Sequence, residues 1–518
     1  IGFQNVYSPL IYIWINVDAI ESMKQISTSS ASFASAKKTR RHFLKDGLVT
    51  LATISILPSH VIRGQSELRD KDGKLVRARS VVPSERVRLA CCGIGNQGGS
   101  DLRAMHQTGL ADIVALCDVD MGGPHTLKSL KAFPDLPKFQ DFREMFDQMG
   151  DSIDAVTVGT PDFSHFPIAM LAMSMGKHVY VEKPLTRTFQ ESELLMRGAK
   201  KYGVVTQMGN QGHCQDNYYQ FKTWVEKGII QDVREITAHM NGGRRWHGWD
   251  TSMTAFPKGQ SIPDTLDWDT WLMTARHHDY HRDFVRGQWR CWYDFGMGAL
   301  GDWGAHIMDG FHQFLDLGLP EEVTPIRIDG HNPLIFPQAS TLEFKFPARG
   351  KMPATKVTWY DGKENHPMVP EGYGDIKIDR DVNPVNGRVM PAQELPAGKE
   401  IYGKDLIFKG HSHGSTLSII PKEKAADLST DLLSYPRNTT NHYENFLKAC
   451  QGLEPTLSPF EVSAPLSQVF CLGVIAQKLN TRLKFDRQNK QITNHAVANH
   501  WLKGASPRKE WEEFYRLA

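Results

Sequence analysis

The chain has 518 residues, of which 40% are hydrophobic and 23% are charged, a composition typical of a globular protein with room for two or three domains. Its 60 basic and 58 acidic side chains give a formal net charge of +2, and the sequence contains no long run of lysine or arginine. A phosphate backbone needs a broad positive surface, so we expect no nucleic-acid partner.

The N-terminal region predicts an export signal. Residues 37–45 read Lys-Lys-Thr-Arg-Arg-His-Phe-Leu-Lys, and the mildly apolar residues 47–58 follow. The pair Arg40–Arg41 in front of a short apolar stretch is typical of a twin-arginine signal, and this stretch is too short for a stable membrane span in the mature protein. We expect residues 1–85 to form a leader, signal and linker, with Met23 as the start of translation. The twin-arginine machinery would then deliver the protein to the periplasm; a basic or disordered leader is the alternative.

A strand, a tight turn, a helix and a second strand follow this linker. The apolar run Val87–Cys91 predicts the first strand, residues 101–108 can form the helix, and the β-branched residues 112–117 predict the second strand. Between the first strand and the helix, the residues match the G-x-G-x-x-G pattern of dinucleotide-binding turns: Gly93, Ile94, Gly95, Asn96, Gln97 and Gly98.

Each glycine of this turn has a predicted role. Gly93 allows the tight turn, Gly95 lets the backbone approach a pyrophosphate, and Gly98 lets the helix pack closely on the sheet. Asp118 ends the second strand about 20 residues later, where a carboxylate binds ribose hydroxyls. Because a carboxylate there repels a 2′-phosphate, we expect NAD rather than NADP; capping of the next helix is the alternative role of Asp118.

The alternation of strands and helices continues to residue 209 and predicts a doubly wound parallel sheet, an NAD-binding Rossmann domain over residues 86–209. Residues 210–440 predict an α+β domain with a mostly antiparallel sheet, in which residues 367–399 form a long surface excursion. Residues 441–518 are expected to be helices that pack back on both domains. The seven cysteines are scattered without a C-x-x-C pair, so we expect them to be buried small hydrophobic residues.

Three further motifs give the chain a family resemblance. Thr160-Pro161-Asp162-Phe163-Ser164-His165 follows one strand, Glu182-Lys183-Pro184 follows the next, and Gly301-Asp302-Trp303-Gly304-Ala305-His306 lies in the second domain. With the glycine turn, and in this order, they resemble the glucose-fructose oxidoreductase, inositol dehydrogenase and rhizopine-catabolism (Gfo/Idh/MocA) family over about residues 86–517.

The resemblance implies roles for these residues. Lys183 would contact the nicotinamide side and the reacting hydroxyl, Glu182 would lie near the cofactor ribose, and Asp302 and His306 would form the second-domain pair with His306 as proton acceptor. The loop that lines the nicotinamide pocket would contain Thr160, Pro161 and His165.

The residue types and their spacing also favour a functional role for Asp302 and His306. Asp302 and His306 are four residues apart and share one face of a helix, where a carboxylate raises the basicity of an imidazole. Lys183 can stabilise a developing alkoxide. Taken one at a time, each has an ordinary alternative: a helix cap for Asp302, a core histidine for His306 and a solvated charge for Lys183.

Seven tryptophans fall between residues 246 and 303, and we expect most of them to pack a core, while one or two line a sugar pocket. The candidate substrate-binding residues are Lys183, Asn210, Arg244, Trp246, Trp292, Asp302 and His306. The histidines at 277, 278, 281, 411 and 413 have no matching acidic or cysteine ligand set, so no metal site is expected.

The first functional hypothesis is an oxidoreductase that transfers hydride between a secondary hydroxyl of a sugar, glycoside or cyclitol and NAD. Because a periplasm holds no pool of free NAD, the cofactor would stay tightly bound. A redox-neutral NAD-dependent glycosidase is the alternative, and a non-catalytic sugar-binding protein is a third. The family resemblance also implies a homo-oligomer, a dimer or a tetramer.

Overall fold

The computed structural model describes residues 68–69, 75–76, 81–82, 85–240, 247–373, 395–437 and 440–518. Two groups of predicted features lie outside these residues: the twin-arginine pair, and Arg244 and Trp246 of the candidate substrate site. The predicted division of the chain at residues 85, 209 and 440 stays a prediction.

A parallel sheet carries the glycine turn. A short antiparallel pair, β1 (Leu68–Arg69) and β2 (Leu75–Val76), comes before it. The elements that follow are, in chain order, β3 (Val87–Cys92), α1 (Asn96–Gln107), β4 (Ala111–Cys117), α2 (Leu127–Ala132), β5 (Lys138–Phe139), α3 (Phe142–Met149), β6 (Ala155–Val158), α4 (His165–Ser174), β7 (His178–Glu182), α5 (Phe189–Tyr202) and β8 (Thr206–Gly209). The six strands from β3 to β8 pair in parallel in the order β5-β4-β3-β6-β7-β8. The predicted doubly wound sheet is confirmed.

A second sheet follows in the chain. Its region contains, in chain order, α6 (Asp216–Glu226), β9 (Glu235–Met240), α7 (Trp268–Leu272), α8 (Gly298–Ile307), α9 (Asp309–Phe314), β10 (Glu322–Asp329), β11 (Ala339–Phe346), β12 (Thr355–Asp361), β13 (Gly398–Tyr402), β14 (Ile407–His411), β15 (Ser418–Ile420), α10 (Lys422–Ala426), α11 (Thr430–Leu433), α12 (His442–Cys450), α13 (Phe460–Leu479), β16 (Leu483–Asp486), β17 (Gln491–Ile492) and α14 (Ala496–Trp501). The strand order is β15-β14-β13-β9-β12-β11-β10-β16-β17, with β9 and β12 parallel and the other described neighbours antiparallel. The predicted α+β class is confirmed.

The strands β13 to β15 were not predicted. The expected surface excursion over residues 367–399 overlaps β13, whose first residues, Gly398 and Lys399, pair with β14 and β9. Lys399 is buried, and its ammonium donates to the carbonyl of His411 at 3.1 Å. A buried lysine breaks the alternation of polar and apolar residues that marks a half-exposed strand, so this alternation does not predict β13.

Helix α13 forms much of the contact between the two sheets, because it packs against both α5 and α8. It is the one described helix that is long and apolar enough to cross a membrane, and 72% of its apolar window is buried within the protein. Burial on this scale is that of a core helix. All seven cysteines are buried and none of them forms a disulfide, which confirms the prediction made for them.

The C-terminal segment anchors itself on the parallel sheet. A 3₁₀ helix, Lys509–Arg516, places Trp511 against Phe142 with ring centroids 6.0 Å apart. The Arg143 guanidinium lies 4.5 Å from the centre of the Trp511 ring, and Trp511 has no exposed surface. The last residues of the chain are therefore part of the core over α3.

Truncation of Trp511 should measure this contact. We expect Trp511→Ala to lower the free energy of unfolding by roughly 3–5 kcal/mol, because it leaves a cavity under α3 and removes the cation–π contact. Unfolding by urea, followed by far-ultraviolet circular dichroism, would give the value. Lys509→Ala, which changes an exposed side chain of the same helix, is the control and should leave the curve unchanged. Equal midpoints for the two variants would contradict the packing described.

Candidate functional site

The glycine turn lies where the order of the parallel sheet changes direction, between β3 and β6. Gly93 has a φ of +79°, and a Cβ there would lie 2.6 Å from the carbonyl carbon of Gly159, just after β6. A Cβ on Gly98 would lie 2.1 Å from the carbonyl oxygen of Gly93. Only glycine fits at these two positions, as predicted, because backbones from β3, α1 and β6 meet there.

The first turn of α1 fits an anionic group. Its N-cap is Gly95, which has no side chain to satisfy the free N–H groups, and the first turn contains no acidic residue. The side chains of Asn96 and Gln97 are exposed. A helix N-terminus of this kind binds pyrophosphate through its backbone N–H groups and its dipole, so the chain's residues fit the dinucleotide predicted for them.

Asp118 lies beside this turn. Its carboxylate accepts backbone N–H groups of Ile94 and Asp120, each at 3.0 Å. The ring of His125 lies over Gly95, where a Cβ would come within 2.1 Å of the ring, and its Nε2 is 3.6 Å from Asp118. Burial lowers the pKa of His125, but the carboxylates of Asp118 and Asp120 outweigh burial and raise it. The glycine turn, Asp118 and His125 therefore form one cluster at the ends of β3 and β4.

A buried charge network joins the two sheets. The ammonium of Lys183, which follows β7, donates to both the carbonyl oxygen and the carboxylate of Asp302 on α8, each at 2.9 Å. The side chains are 11% and 5% exposed. Arg290 also donates to the Asp302 carboxylate, at 3.4 Å, and its guanidinium lies 4.2 Å from the centre of the Trp289 ring. Lys183 and Asp302, predicted to share a site, are in direct contact.

His306 lies one helical turn beyond Asp302 and is buried. Its pKa is lowered well below the usual range, by burial first and then by the charges of Lys183 and His413, although Asp302 acts to raise it. We expected the carboxylate to raise the basicity of this imidazole. Asp302 acts in that direction, but burial first, and then the charges of Lys183 and His413, outweigh it, so the net shift of the pKa is downward. His306 is therefore neutral at pH 7.

Asp162, from the motif after β6, lies in the same buried region. Its carboxyl group accepts the backbone N–H of Met297 at 3.0 Å. Burial raises its pKa to about 7, with Asp302 adding to the effect and Arg290 and Lys183 opposing it. A buried carboxyl group with such a pKa is typical of active sites.

His165, in the same loop after β6, connects this loop with the Glu182-Lys183-Pro184 motif. The ring nitrogens of His165 lie 3.0 and 2.8 Å from the carbonyl oxygens of Pro184 and Thr160, and burial lowers its pKa to about 4. Thr160 accepts a hydrogen bond from Ser164 at 2.8 Å. Thr160 and Pro161 are partly exposed, as pocket-lining residues must be. Their contact with a nicotinamide stays a prediction.

Glu182 belongs to a buried acidic cluster. Its carboxyl group accepts a hydrogen bond from Gln211, and it lies beside Asp101 of α1. Asp101 accepts hydrogen bonds from Gln97 at 2.8 Å and from Tyr443 at 2.9 Å. Burial raises the pKa of Asp101 to about 6, although a hydrogen bond with Glu182 acts to lower it. Burial also raises the pKa of Glu182 well above its usual range, and the nearby charge of Asp101 adds to this effect.

Two predicted substrate residues are buried elsewhere. Asn210 is 2% exposed and donates to Asp309 at 2.9 Å, beside His213. Trp292 is 1% exposed, its indole donates to the carbonyl of Asp283 at 2.8 Å, and it packs against other aromatic rings. The assignment of Trp292 to the substrate is therefore corrected: an indole with no exposed surface belongs to the core. Core packing of most tryptophans in this stretch is confirmed by the burial of Trp268, Trp271, Trp289, Trp292 and Trp303.

The sequence reasoning missed several residues of this region. Arg290 lies between Trp289 and Trp292 in the sequence and matches no motif. His413 attracts attention in the sequence only as a possible metal ligand. Gln211 and Asp101 carry no local motif, and only their contacts with Glu182 identify them. Within the described ranges, no group of three or more His, Cys, Asp or Glu side chains could hold a metal ion.

Two models of one protein family match the parts of the chain that contain the candidate site. Residues 87–210 match the family model of the GFO_IDH_MocA oxidoreductase family described as the NAD-binding Rossmann fold, and residues 216–341 match the model of its C-terminal alpha/beta domain. The first match contains the glycine turn, Asp118 and Lys183, and the second contains Asp302 and His306. The predicted NAD-binding domain is confirmed.

Curated relatives match over shorter stretches. The scyllo-inositol 2-dehydrogenase (NADP(+)) IolW of Bacillus subtilis is 25% identical over 193 residues, which are 37% of this chain and 42% of the relative. The alpha-N-acetylgalactosaminidase of Shewanella oneidensis is 30% identical over 161 residues, which are 29% of this chain and 35% of the relative. The chain thus matches less than half the length of either protein.

A solved structure shares the fold. The WlbA dehydrogenase of Chromobacterium violaceum, in complex with NADH and UDP-GlcNAcA, superposes with a TM-score of 0.50 at 14% sequence identity. The superposition covers 78% of this chain and 98% of that chain.

The position of Asp118 predicts how the protein discriminates between dinucleotides. Two unit charges about 4 Å apart repel by roughly 1–4 kcal/mol near a protein surface, so Asp118→Asn should raise the affinity for NADPH relative to NADH by about tenfold. Fluorescence titration of the two reduced dinucleotides would give the ratio. Asp112→Asn, at the exposed opposite end of β4, is the matched control. An unchanged ratio in Asp118→Asn would show that this carboxylate does not face the ribose.

Proposed function

We propose that the chain, whose residues 87–210 and 216–341 match the models of the NAD-binding and C-terminal domains of the Gfo/Idh/MocA oxidoreductase family, transfers hydride between a secondary hydroxyl of a sugar, glycoside or cyclitol and a tightly held NAD. One observation carries the proposal: Lys183 and Asp302 are in contact across the two sheets, with His306 one turn further on α8. This arrangement brings a cation and a neutral imidazole to the carboxyl edge of the parallel sheet, where open α/β sheets bind ligands.

Lys183 acts on the substrate oxygen. An ammonium has three N–H donors, and two of them go to the carbonyl and carboxylate oxygens of Asp302. The third donates to the reacting hydroxyl, and in a site this buried the positive charge strongly stabilises the alkoxide that develops there. Asp302 holds the ammonium in place, and Arg290 in turn donates to the Asp302 carboxylate.

His306 takes the proton. Its ring is neutral at pH 7, and within the described residues its Nδ1 is buried without a hydrogen-bond partner. The hydroxyl proton passes to the imidazole in oxidation and returns from it in reduction. A bound nicotinamide supplies the hydride acceptor. The substrate class follows the sugar and cyclitol relatives, with Arg244 and Trp246 as predicted contacts.

A redox-neutral glycosidase is the second candidate, because stretches of 162–171 residues are 29–31% identical to glycosyl hydrolase family 109 proteins of Shewanella. Here a transient oxidation acidifies the C–H of the neighbouring carbon, loss of that proton expels the aglycone, water adds to the double bond that forms, and the hydride returns to the ketone. The deciding experiment incubates the purified protein with nitrophenyl glycosides without added NAD. Release of nitrophenol without a lasting change in absorbance of the reduced cofactor favours the glycosidase. Lasting reduction, with a ketosugar as product, favours the oxidoreductase.

We also propose that the protein is exported by the twin-arginine pathway and functions as a homo-oligomer. A fusion of residues 1–85 to a reporter would test export, which Arg40→Lys with Arg41→Lys should abolish. Light scattering would give the oligomeric state.

Loss of the ammonium should stop the chemistry and leave binding largely intact. We expect Lys183→Ala to lower kcat by about 10²- to 10⁴-fold, the range of a group that acts in the transition state, while the protein still retains NAD. Steady-state kinetics and the absorbance of released cofactor measure the two effects. Lys200→Ala, an exposed lysine of α5, is the control. Wild-type turnover in Lys183→Ala would refute the assignment.

The lowered pKa of His306 predicts the pH dependence. The oxidation needs the neutral imidazole, so kcat/KM rises as pH passes upward through this pKa and is level around neutrality. The acid inflection should therefore lie below the usual 6.5, in a profile recorded between about pH 4 and 8. Asp162→Asn should be profiled alongside, because the Asp162 carboxyl group, whose pKa is about 7, can add its own inflection. An acid inflection at or above 6.5 in both proteins would contradict His306 as the acceptor.

A further inference from the structure

The loop between β14 and β15 brings a second imidazole to the site. The ring of His413 stacks on that of His306, with centroids 3.8 Å apart and planes 20° from parallel. Its edge meets Trp303, with the two rings 5.3 Å apart. His413 is exposed, whereas His306 is 5% exposed. One face of the buried imidazole is therefore covered by a ring that itself faces solvent.

The backbone holds this stack in place. The N–H of His413 donates to the carbonyl of His306 at 3.1 Å. His413 has a φ of +52°, a conformation that is uncommon for residues other than glycine and that costs free energy unless its surroundings impose it. The next residue, Gly414, lies so close to Gly212, after β8, that a Cβ there would come within 2.3 Å of the Gly212 carbonyl oxygen. The segment after β8 and helix α8 thus fix the loop, and strained backbone of this kind occurs at functional sites.

The groups that face His306 come from four parts of the chain. Lys183 follows β7, Asp302 is on α8, and His413 is in the β14–β15 loop; a backbone group of Gln211 also contacts the ring. Charge on Lys183 and on His413 makes protonation of His306 less favourable, and Asp302 and Gln211 make it more favourable. His413 therefore acts on His306 both by covering it and by its charge.

We propose that His413 is a positioning residue for the proposed reaction: its ring shields one face of the His306 imidazole from water and holds that ring in its orientation. The proposal rests on the proposed function for the role of His306 as proton acceptor. The shielding itself is a property of the loop and can be measured without turnover.

Chemical modification tests the shielding. Diethyl pyrocarbonate acylates neutral, accessible imidazoles, and mass spectrometry of peptides locates each modified histidine. We expect His413 to react in the wild-type protein and His306 to be protected. In His413→Asn, which tolerates a positive φ but removes the ring, modification of His306 should accelerate at least several-fold. His413→Phe keeps an aromatic ring over His306 and should keep the protection.

His411→Ala, which removes an exposed imidazole from the end of β14, is the matched control and should protect His306 as the wild type does. A melting curve of each variant shows whether the fold persists. Equal modification of His306 in the wild type and in folded His413→Asn overturns the proposal. If His413→Asn does not fold, loss of protection in folded His413→Phe overturns it instead.

The pH profile tests the link to chemistry. In His413→Asn we expect kcat to fall about tenfold with little change in KM, and the acid inflection of kcat/KM to move up toward 6.5, because water and one fewer cation then surround His306. His413→Phe should recover most of kcat. An unshifted inflection in His413→Asn overturns the effect of His413 on His306. Full activity in His306→Gln, together with protection of His306 in the wild-type protein, would refute the proposed function alone.

Discussion

The contact between Lys183 and Asp302 is the constraint on which the site depends. The lysine belongs to the loop after β7 and the aspartate to α8, 119 residues later in the chain. Burying either charge alone would be costly, but the ammonium donates to two oxygens of Asp302, so the two charges compensate each other. Arg290 donates to the same carboxylate and leaves the network with one net positive charge. The two sheets must be docked for this network to form, which means that a cation lies beside His306 only in the assembled fold.

Around this ion pair, burial favours the neutral forms of Asp162, Glu182 and His306. The pKa values of Asp162 and Glu182 are raised and that of His306 is lowered, each chiefly because the charged form would lose its hydration. The charges of the site therefore lie mainly on Lys183, Asp302 and Arg290, which are held by hydrogen bonds. A low dielectric also strengthens the attraction between the remaining cation and a developing alkoxide, so the features that make the site expensive to assemble also suit it to hydride transfer.

Sequence patterns predict those features of the fold and of the site that depend on residues close together in the chain. The glycine turn, the strands β3 and β6 and the i, i+4 pair on α8 follow from short patterns, because each depends on backbone geometry within one or two elements. Trp292 was misassigned because indoles serve cores and sugar pockets alike, and a pattern cannot tell which face is covered. Arg290 and His413 were missed because only tertiary packing brings them to Asp302 and His306. The strand pair that carries His413 was hidden by its mixed polar composition.

The division of labour between Lys183 and His306 explains why a weakly basic imidazole suits the proposed reaction. An imidazole with a lowered pKa accepts a proton from an alcohol poorly, so it is effective only when the oxygen is already stabilised by a nearby cation. The same weakness makes the imidazolium a good donor when the hydride returns. Both candidate functions need this reversibility, because a tightly held cofactor must be restored in place. A strong base would bind the proton too firmly to complete the cycle, and a site without the cation could not begin it.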